Sequence, residues 1–409
     1  MKILYINHYA GSPKHGMEFR PYYLAREWVR AGHEVNIVAA DFSHLRQHNP
    51  ELSKAYADQE IDGIRYTWCR TPRYEGNGAK RVVNIFAFLR RLMGLSGRFL
   101  RDWKPDLVIA SSTYPLDTVP AAFIAGKTGA RLAYEVHDLW PLTPVEVGGM
   151  SPKHPFIRLL QWAEDFGYRK ADTVVSMLPC AQDYMLSHGM DPAKYAVVPN
   201  GVDVAEWQGE PLPLPDAHRE LLARLRADGR FIVGYAGGHG LANALDFLLE
   251  AAVGLTDSRA AFVLVGDGPD KAALEDQARK LALCNVHFLP AIPKRAVPAF
   301  LAATDALYIG WRKLPIYRFG INPNKLFDYM MAGKPVIHSV DAGNDIVAAA
   351  GCGVSVAAED PVAIAQGVRA MMAKTPNERG RLGAAGRQYV LANHDYKVLA
   401  RRFLQVTCR

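Results

Sequence analysis

Short apolar runs alternate along the chain with stretches whose apolar residues recur every three or four positions. The runs KILYI, HEVNIVAA, DLVIAS, RLAYEV and DTVVSM predict strands, and Glu18 to Arg30, between the first two, predicts a helix. Strand and helix in alternation predict an α/β fold, a mostly parallel sheet wrapped by helices. The pattern breaks at WQGEPLPLP, Trp207 to Pro215, where three prolines exclude both helix and central strand. It restarts with FIVGYAG, a helix from about Ala242 to Val253, AAFVLVGDGP, VHFLP, DALYIG, KPVIHS and GVSVA. Two similar domains are therefore expected, joined between Pro199 and Pro215. The first covers 1–203, the second 204–385, and a helical tail over 386–409 crosses back to the first. Open α/β sheets bind ligands at the carboxyl ends of their strands, so the two domains are expected to face each other across a central cleft.

Composition narrows the setting. The 409 residues, 49% of them hydrophobic, suffice for two or three domains with real cores. Five scattered cysteines with no CxxC pair argue against a disulfide scaffold or zinc site and suit a reducing compartment. The first apolar run is interrupted by Asn7 and His8, too early for a signal peptide, and nowhere do about 18 apolar residues run together. A cytoplasmic protein is expected, with a peripheral position on the inner face of the plasma membrane. The net charge of +7 favours an anionic partner, but no helix-turn-helix, RNP or zinc motif points to nucleic acid.

Two glycine turns follow strands and open helices, the place where backbone N–H groups can cradle phosphate. One is AGSPKHG, with Gly11 and Gly16; the other is GYAGGHG, with Gly237, Gly238 and His239. Neither completes the dinucleotide fingerprint, which argues against an NAD-dependent oxidoreductase, and no P-loop exists. An ordinary strand-to-helix turn is the equal alternative for the second. The segment GINPNKLFDYMMAGKPVI, Gly320 to Ile337, is more informative. Asn322 as N-cap and Pro323 at the first helical position predict a short helix from Pro323 to Ala332, ended by Gly333. Lys325 and Asp328, three residues apart on one face, offer a cation for a diphosphate and a carboxylate for ribose hydroxyls. A solvated ion pair is the commoner fate of such a spacing.

This helix resembles the signature of the retaining GT-B glycosyltransferases of family GT4, a Glu, seven intervening residues and a second acid, followed by an AMAxGxPVI-like run; Asp328 and YMMAGKPVI match the second half. Further landmarks in order are GHEV, EVHDLWP, VVPNGVD, YAGGHG and VGDGP. The PNKLFDYM version resembles enzymes that build bacterial O-antigen or capsule, including transferases of N-acetylated deoxy-hexosamines such as N-acetylfucosamine. The resemblance implies a nucleotide-sugar donor, UDP-linked, bound by the second domain. It implies an acceptor, a saccharide or lipid-linked saccharide, bound by the first, with transfer under retention and without a metal or other cofactor. By the same resemblance His137 reaches the donor sugar and Lys325 the diphosphate, both as catalytic residues. Asp328 takes the ribose, and Leu289, Pro290 and Ile292 lie along the base. Asn322, Pro323, Asn324 and Leu326 complete the donor site. Gly320 stands where the family has its first Glu, and Gly238 and Asn243 where many members place Arg and Lys.

On the acceptor side, Glu18 and Arg20 open the first helix beside Gly11 and Gly16. Arg20 is the candidate for an acceptor phosphate, since a guanidinium matches phosphate bidentately. The stretch Arg73 to Lys104 holds eight basic residues against two acidic ones, so most of the +7 is local. There Val82, Ile85, Phe86, Leu89, Leu92 and Met93 interleave with Arg90, Arg91, Arg98 and Arg101, an amphipathic pattern suited to an anionic membrane surface. A helix packing its apolar face on the sheet is the alternative. Rival functions on the same fold are a nucleotide-sugar epimerase, a phosphorylase, or a noncatalytic nucleotide-sugar-binding protein.

Overall fold

The computed structural model describes residues 1–16, 19–76 and 78–408. It divides into two compact units: Met1–Asn200 with Tyr396–Arg409, and Gly201–Asp395. In the first unit one sheet contains β1 (Lys2–Ile6), β2 (Glu34–Ala40), β3 (Tyr56–Ile61), β4 (Ile64–Cys69), β5 (Leu107–Ala110), β6 (Arg131–Val136), β7 (Thr173–Ser176) and β8 (Tyr195–Val197). Their order is β3-β4-β2-β1-β5-β6-β7-β8, and every pairing is parallel except β3 with β4. In the second unit β9 (Phe231–Ala236), β10 (Ala260–Val265), β11 (Val286–Leu289), β12 (Ala306–Gly310), β13 (Val336–Ser339) and β14 (Gly353–Val356) form an all-parallel sheet. Its order is β11-β10-β9-β12-β13-β14.

Both units are Rossmann-like, and the apolar runs explain why. A parallel strand covered on both faces must be apolar at every position, and β10 is buried from end to end, as is β1 from Ile3 to Ile6. In each sheet the order reverses at one strand, β1 between β2 and β5, and β9 between β10 and β12. The two glycine turns leave the carboxyl ends of these strands, at the switch points where such sheets open a crevice for ligands.

The antiparallel hairpin β3–β4 carries no such apolar run. Its outer strand YADQEI is exposed through its middle, so the signal lies only in the Asp62-Gly63 turn, where both residues have positive φ, 51° and 78°. That is the turn geometry that suits a two-residue hairpin.

The division of the C-terminal segment differs from the expected 385/386 boundary. Helix Pro376–Asn393 runs unbroken and buries Val390 in the second unit's core. Its Gly383 lies so close to the Gly333 carbonyl that an added Cβ would stand 1.8 Å from the oxygen. Only helix Tyr396–Thr407 joins the first unit. There Tyr396 stacks on Tyr23 at 4.8 Å, and the Trp28 indole donates to the Ala400 carbonyl at 2.9 Å. The first unit correspondingly ends at Asn200, not 203.

Helix Ala79–Arg101 turns much of its apolar set inward. Ile85, Phe88, Leu92, Leu95 and Phe99 are buried, which removes Ile85 and Leu92 from any lipid-facing surface. Phe86 and Met93 remain exposed, and Val83 joins them. Among the described residues no helix is long and apolar enough to cross a membrane.

Replacing Gly383 by Ala forces the 376–393 helix off the Gly333 carbonyl. A loss of about 1–3 kcal/mol in unfolding free energy is expected; a denaturant titration that finds no change would show that this approach can relax freely.

Candidate donor and acceptor sites

The donor-side candidate is built from the end of β9 and the helix Asn324–Met331. Pro323 is the residue before the helix, with φ −79° and ψ 126°, so the helix starts one residue later than the Asn322 cap predicted. The N–H groups of Asn324 and Lys325 have no intrahelical acceptor, as at any helix start, and take no partner among the described residues. Tyr329 pins the helix to the sheet: its hydroxyl accepts from the Ala236 N–H at 2.8 Å and lies 3.2 Å from the Ala236 carbonyl.

Lys325 thereby reaches back to the β9 turn. Its ammonium donates to the Tyr235 hydroxyl at 2.9 Å and to Asn243 Oδ1. Tyr235 Oη and Asn243 Nδ2 in turn donate to the Gly238 carbonyl at 2.7 and 2.9 Å. Two of three ammonium donors are thus committed and the third is left for a ligand. Burial pushes the ammonium down to about 7. One turn along, burial pushes the Asp328 carboxyl up to about 6, opposed by Lys294 and by a hydrogen bond from Trp207, with Glu206 adding to the rise. Lys325 and Asp328 therefore engage different partners rather than forming the ion pair their spacing allows.

The glycines of the two neighbouring turns serve close approach. Gly237 N–H donates to Val265 O at 3.0 Å and His239 N–H to Asp267 O at 2.8 Å, which prolongs the β9–β10 ladder. A Cβ on Gly266 would stand 1.9 Å from Gly237 O. Gly238 and Gly240 keep N–H groups with no partner among the described residues. The His239 ring is fully buried, and burial followed by nearby Lys271 holds it down at about 4.

In the first unit the notable group is a buried carboxylate under His137. Glu135 Oε1 accepts from Arg20 Nη2 at 2.8 Å and Nε at 3.0 Å. Its Oε2 accepts from Tyr5 and Ser111 hydroxyls at 2.6 Å each and lies 3.2 Å from His137 Nε2. His137 Nε2 is also 2.8 Å from Ser111 Oγ. Since Ser111 donates to Glu135, the network assigns the His137 proton to Nε2 and leaves Nδ1 as an acceptor. Burial alone would raise the Glu135 carboxyl, but Arg20 and then His137 hold it well below the usual range.

One His/acid group among the described residues has metal-like spacing: Glu164, Asp165 and His188, ligand atoms within 4.8 Å. Gln161 Nε2 sits among them at 3.0, 2.8 and 2.9 Å, the place a cation would take. Burial pushes Glu164 up to about 8, so it is protonated at neutral pH, and the cluster reads as a closed hydrogen-bond network.

Residues 15–201 match a family model described as Glycosyl transferase 4-like domain, and residues 230–374 one described as Glycosyl transferases group 1. The chain belongs to the GT-B glycosyltransferases. It is 25% identical over 332 residues to the glycosyl transferase WcaI of Escherichia coli (strain K12), named for colanic acid biosynthesis, covering 78% of this chain and 79% of that one. It is 22% identical over 376 residues to the glycosyltransferase WbjE of Pseudomonas aeruginosa, with 89% and 88% covered. The solved structure of Anabaena HepE in complex with UDP superposes with a TM-score of 0.69 at 16% identity, covering 99% of each chain.

In this glycosyltransferase only some of the expected donor-site residues come together. Lys325, Asn324, Pro323, Gly238 and Asp328 stand around the start of one helix and the β9 turn, and Asn322 precedes them. Leu326 is fully buried in the core and Leu289 nearly so, which corrects their placement in the donor site; Pro290 is exposed and Ile292 half-buried. His239 and Gly237 spend their N–H groups on the β10 turn, so neither can offer one to a phosphate.

On the acceptor side Gly16 N–H donates to Ser12 O at 3.0 Å and Gly11 O accepts from Tyr66 at 2.8 Å. Glu18 lies outside the described residues. Arg20 is corrected. It is buried, and its five N–H donors go to Glu135, Val198 O, Pro199 O and Asn200 Oδ1, which leaves none for an acceptor phosphate. Gly320 has φ +101°, a backbone that a Glu could adopt only under strain, so the loop is built without the family's first acid.

Sequence reasoning did not find Glu135, Ser111, Tyr5, Tyr235 or Lys271. The spacing of Glu135 and His137 held a signal, because residues two apart at a strand end share a face. Lys271 donates to Gly266 O at 2.9 Å and thus ties the β10 turn to the helix it opens.

Arg20→Ala strands the Glu135 carboxylate in the core. Unfolding free energy is expected to fall by about 3–5 kcal/mol, with much of it recovered in Arg20→Met/Glu135→Leu; denaturant melts of the three proteins check this, and an unaltered single variant would contradict the buried pair.

Proposed function

We propose that this glycosyltransferase moves a sugar, an N-acetylated deoxy-hexosamine, from a UDP-linked donor to a lipid-linked saccharide in surface-polysaccharide (O-antigen) synthesis, with retention at the anomeric carbon. The observation that carries the reading is the Lys325 ammonium held against the β9 turn beside the unbonded N–H groups of Asn324, Lys325, Gly238 and Gly240. Departure of a nucleoside diphosphate builds negative charge on phosphate oxygens, and donors already in place stabilise it without reorganisation. WcaI is named for colanic acid biosynthesis, which supports surface polysaccharide, and HepE was solved with UDP, which supports the base.

In this reading Lys325 and the N–H groups carry the diphosphate charge and the reaction runs without a divalent cation. Asp328 accepts from the ribose hydroxyls, and His137 accepts a donor-sugar hydroxyl at Nδ1. The Glu135 carboxylate behind His137 is shared with Arg20, Tyr5 and Ser111, so it orients the ring more than it strengthens a base. The acceptor hydroxyl then attacks from the face the diphosphate leaves, and its proton passes to a leaving phosphate oxygen. The protein would sit in the cytoplasm, against the inner face of the plasma membrane.

The pH dependence of UDP binding follows from two groups. Lys325 must be charged, so affinity falls as pH rises past about 7. Asp328 must be ionised, so affinity also falls as pH drops below about 6. Calorimetry should therefore show tightest binding between these values, with proton uptake on the alkaline side that is lost in Lys325→Met; that variant should bind UDP about 10- to 100-fold more weakly. Failure of UDP and of every other nucleoside diphosphate to raise the melting temperature would overturn the reading, and so would turnover abolished by EDTA for its metal-free part.

A further inference from the structure

Helix Ala79–Arg101 and the loops after β2 and β4 enclose a groove of about 680 Å³. Arg70, Arg73, Arg90 and Arg91 line it, against two acids, Asp41 and Glu51. Asp41 Oδ1 accepts from the Thr71 N–H and hydroxyl at 2.8 and 3.0 Å. Glu51 pairs with Arg73 at 3.7 Å, but both side chains are largely exposed, so water screens the pair. Arg70 reaches a carbonyl, Ser53 O, at 3.2 Å, and Arg91 lies over the Tyr56 ring. Arg90 has no partner among the described residues. Four guanidinium groups around one concavity repel each other, and among the described residues only Arg73 has a carboxylate partner, so the groove is poised for an anion.

Its position fits a substrate. Asp41 follows β2 directly and Thr71 comes just after β4, so the groove opens at the carboxyl edge of the sheet, the edge at which the β1 turn also leaves. Val83, Phe86, Arg90 and Met93 follow a three-then-four spacing along the helix, and the three apolar residues are 58%, 45% and 40% exposed. An apolar stripe thus runs beside the arginine-lined groove.

We propose that this groove binds the diphosphate of the lipid-linked acceptor, with its apolar chain along Val83, Phe86 and Met93. The assignment rests on the proposed transfer to such an acceptor, and it gives the local basic charge a ligand that Arg20, closed off by Glu135, cannot take.

Calorimetric titration of the full chain with inorganic pyrophosphate, in saturating UDP so that the nucleotide site is filled, tests it. The wild type should bind, Arg70→Ala/Arg90→Ala should bind at least about tenfold more weakly, and Arg101→Ala, which removes charge farther along the same helix, should bind within about twofold of wild type. The UDP-induced rise in melting temperature should be unchanged in all three, which separates this test from that of the donor site. Equal pyrophosphate binding by wild type and double variant would overturn the proposal, as would an equal loss in Arg101→Ala. So would a wild type that ignores pyrophosphate yet floats with phosphatidylglycerol vesicles through Arg70 and Arg90, because the occupant would then be a phospholipid headgroup.

Discussion

An ammonium group sunk into protein stays charged only if something negative or strongly dipolar comes to meet it. Lys325 has hydroxyl and amide oxygens for partners, Tyr235 and Asn243, and no carboxylate among the described residues. Its depressed titration, near 7, is the direct consequence of that burial. An arriving diphosphate would supply the missing charge and draw a proton onto the lysine as it binds. A surface lysine would bind phosphate too, but without this gain, because water already solvates it. The second unit's sheet, the Tyr329 contact with Ala236 and the exact start of the helix all serve to keep one cation waiting in this condition.

The first unit uses charge in the opposite way. Glu135 is buried and fully compensated, by a guanidinium on one oxygen and by two hydroxyls and an imidazole on the other. Breaking any one member leaves the rest uncompensated, so the cluster acts as a unit. It joins β1, β5, β6 and the first helix at the switch point, and it holds His137 through Nε2.

The strands were legible because parallel strands buried on both faces leave continuous apolar runs. The β3–β4 hairpin was not, since its outer strand faces water and alternates too little. The tail boundary was missed for a related reason. Helix Pro376–Asn393 packs through Gly383 and Gly386 rather than through an apolar stripe, so its allegiance to the second unit leaves almost no periodic mark. Lys325 could be singled out from local signals alone, a cation just inside a helix start. Arg20 carried the same local appearance beside a glycine turn, yet its partner Glu135 lies 115 residues away. Local sequence reports what a side chain could bind, while the partners that have already claimed it are set by topology.

The glycine turns make the same point from the backbone. A glycine after a strand reads equally as a phosphate cradle or as room for a neighbouring chain, and here a single turn has N–H groups of both kinds, spent and unspent. Gly237 donates into the adjoining β10 turn and is spent, while Gly238, one residue on, keeps its N–H and has its carbonyl capped by Tyr235 and Asn243. Those caps matter electrostatically. An uncapped carbonyl facing a diphosphate would repel it, and the two donors that neutralise the Gly238 oxygen are the same two side chains whose oxygens receive Lys325. The turn, the lysine and the helix start are therefore one hydrogen-bonded object. Substituting Tyr235 or Asn243 would change the charge presented to a phosphate even though neither need touch it.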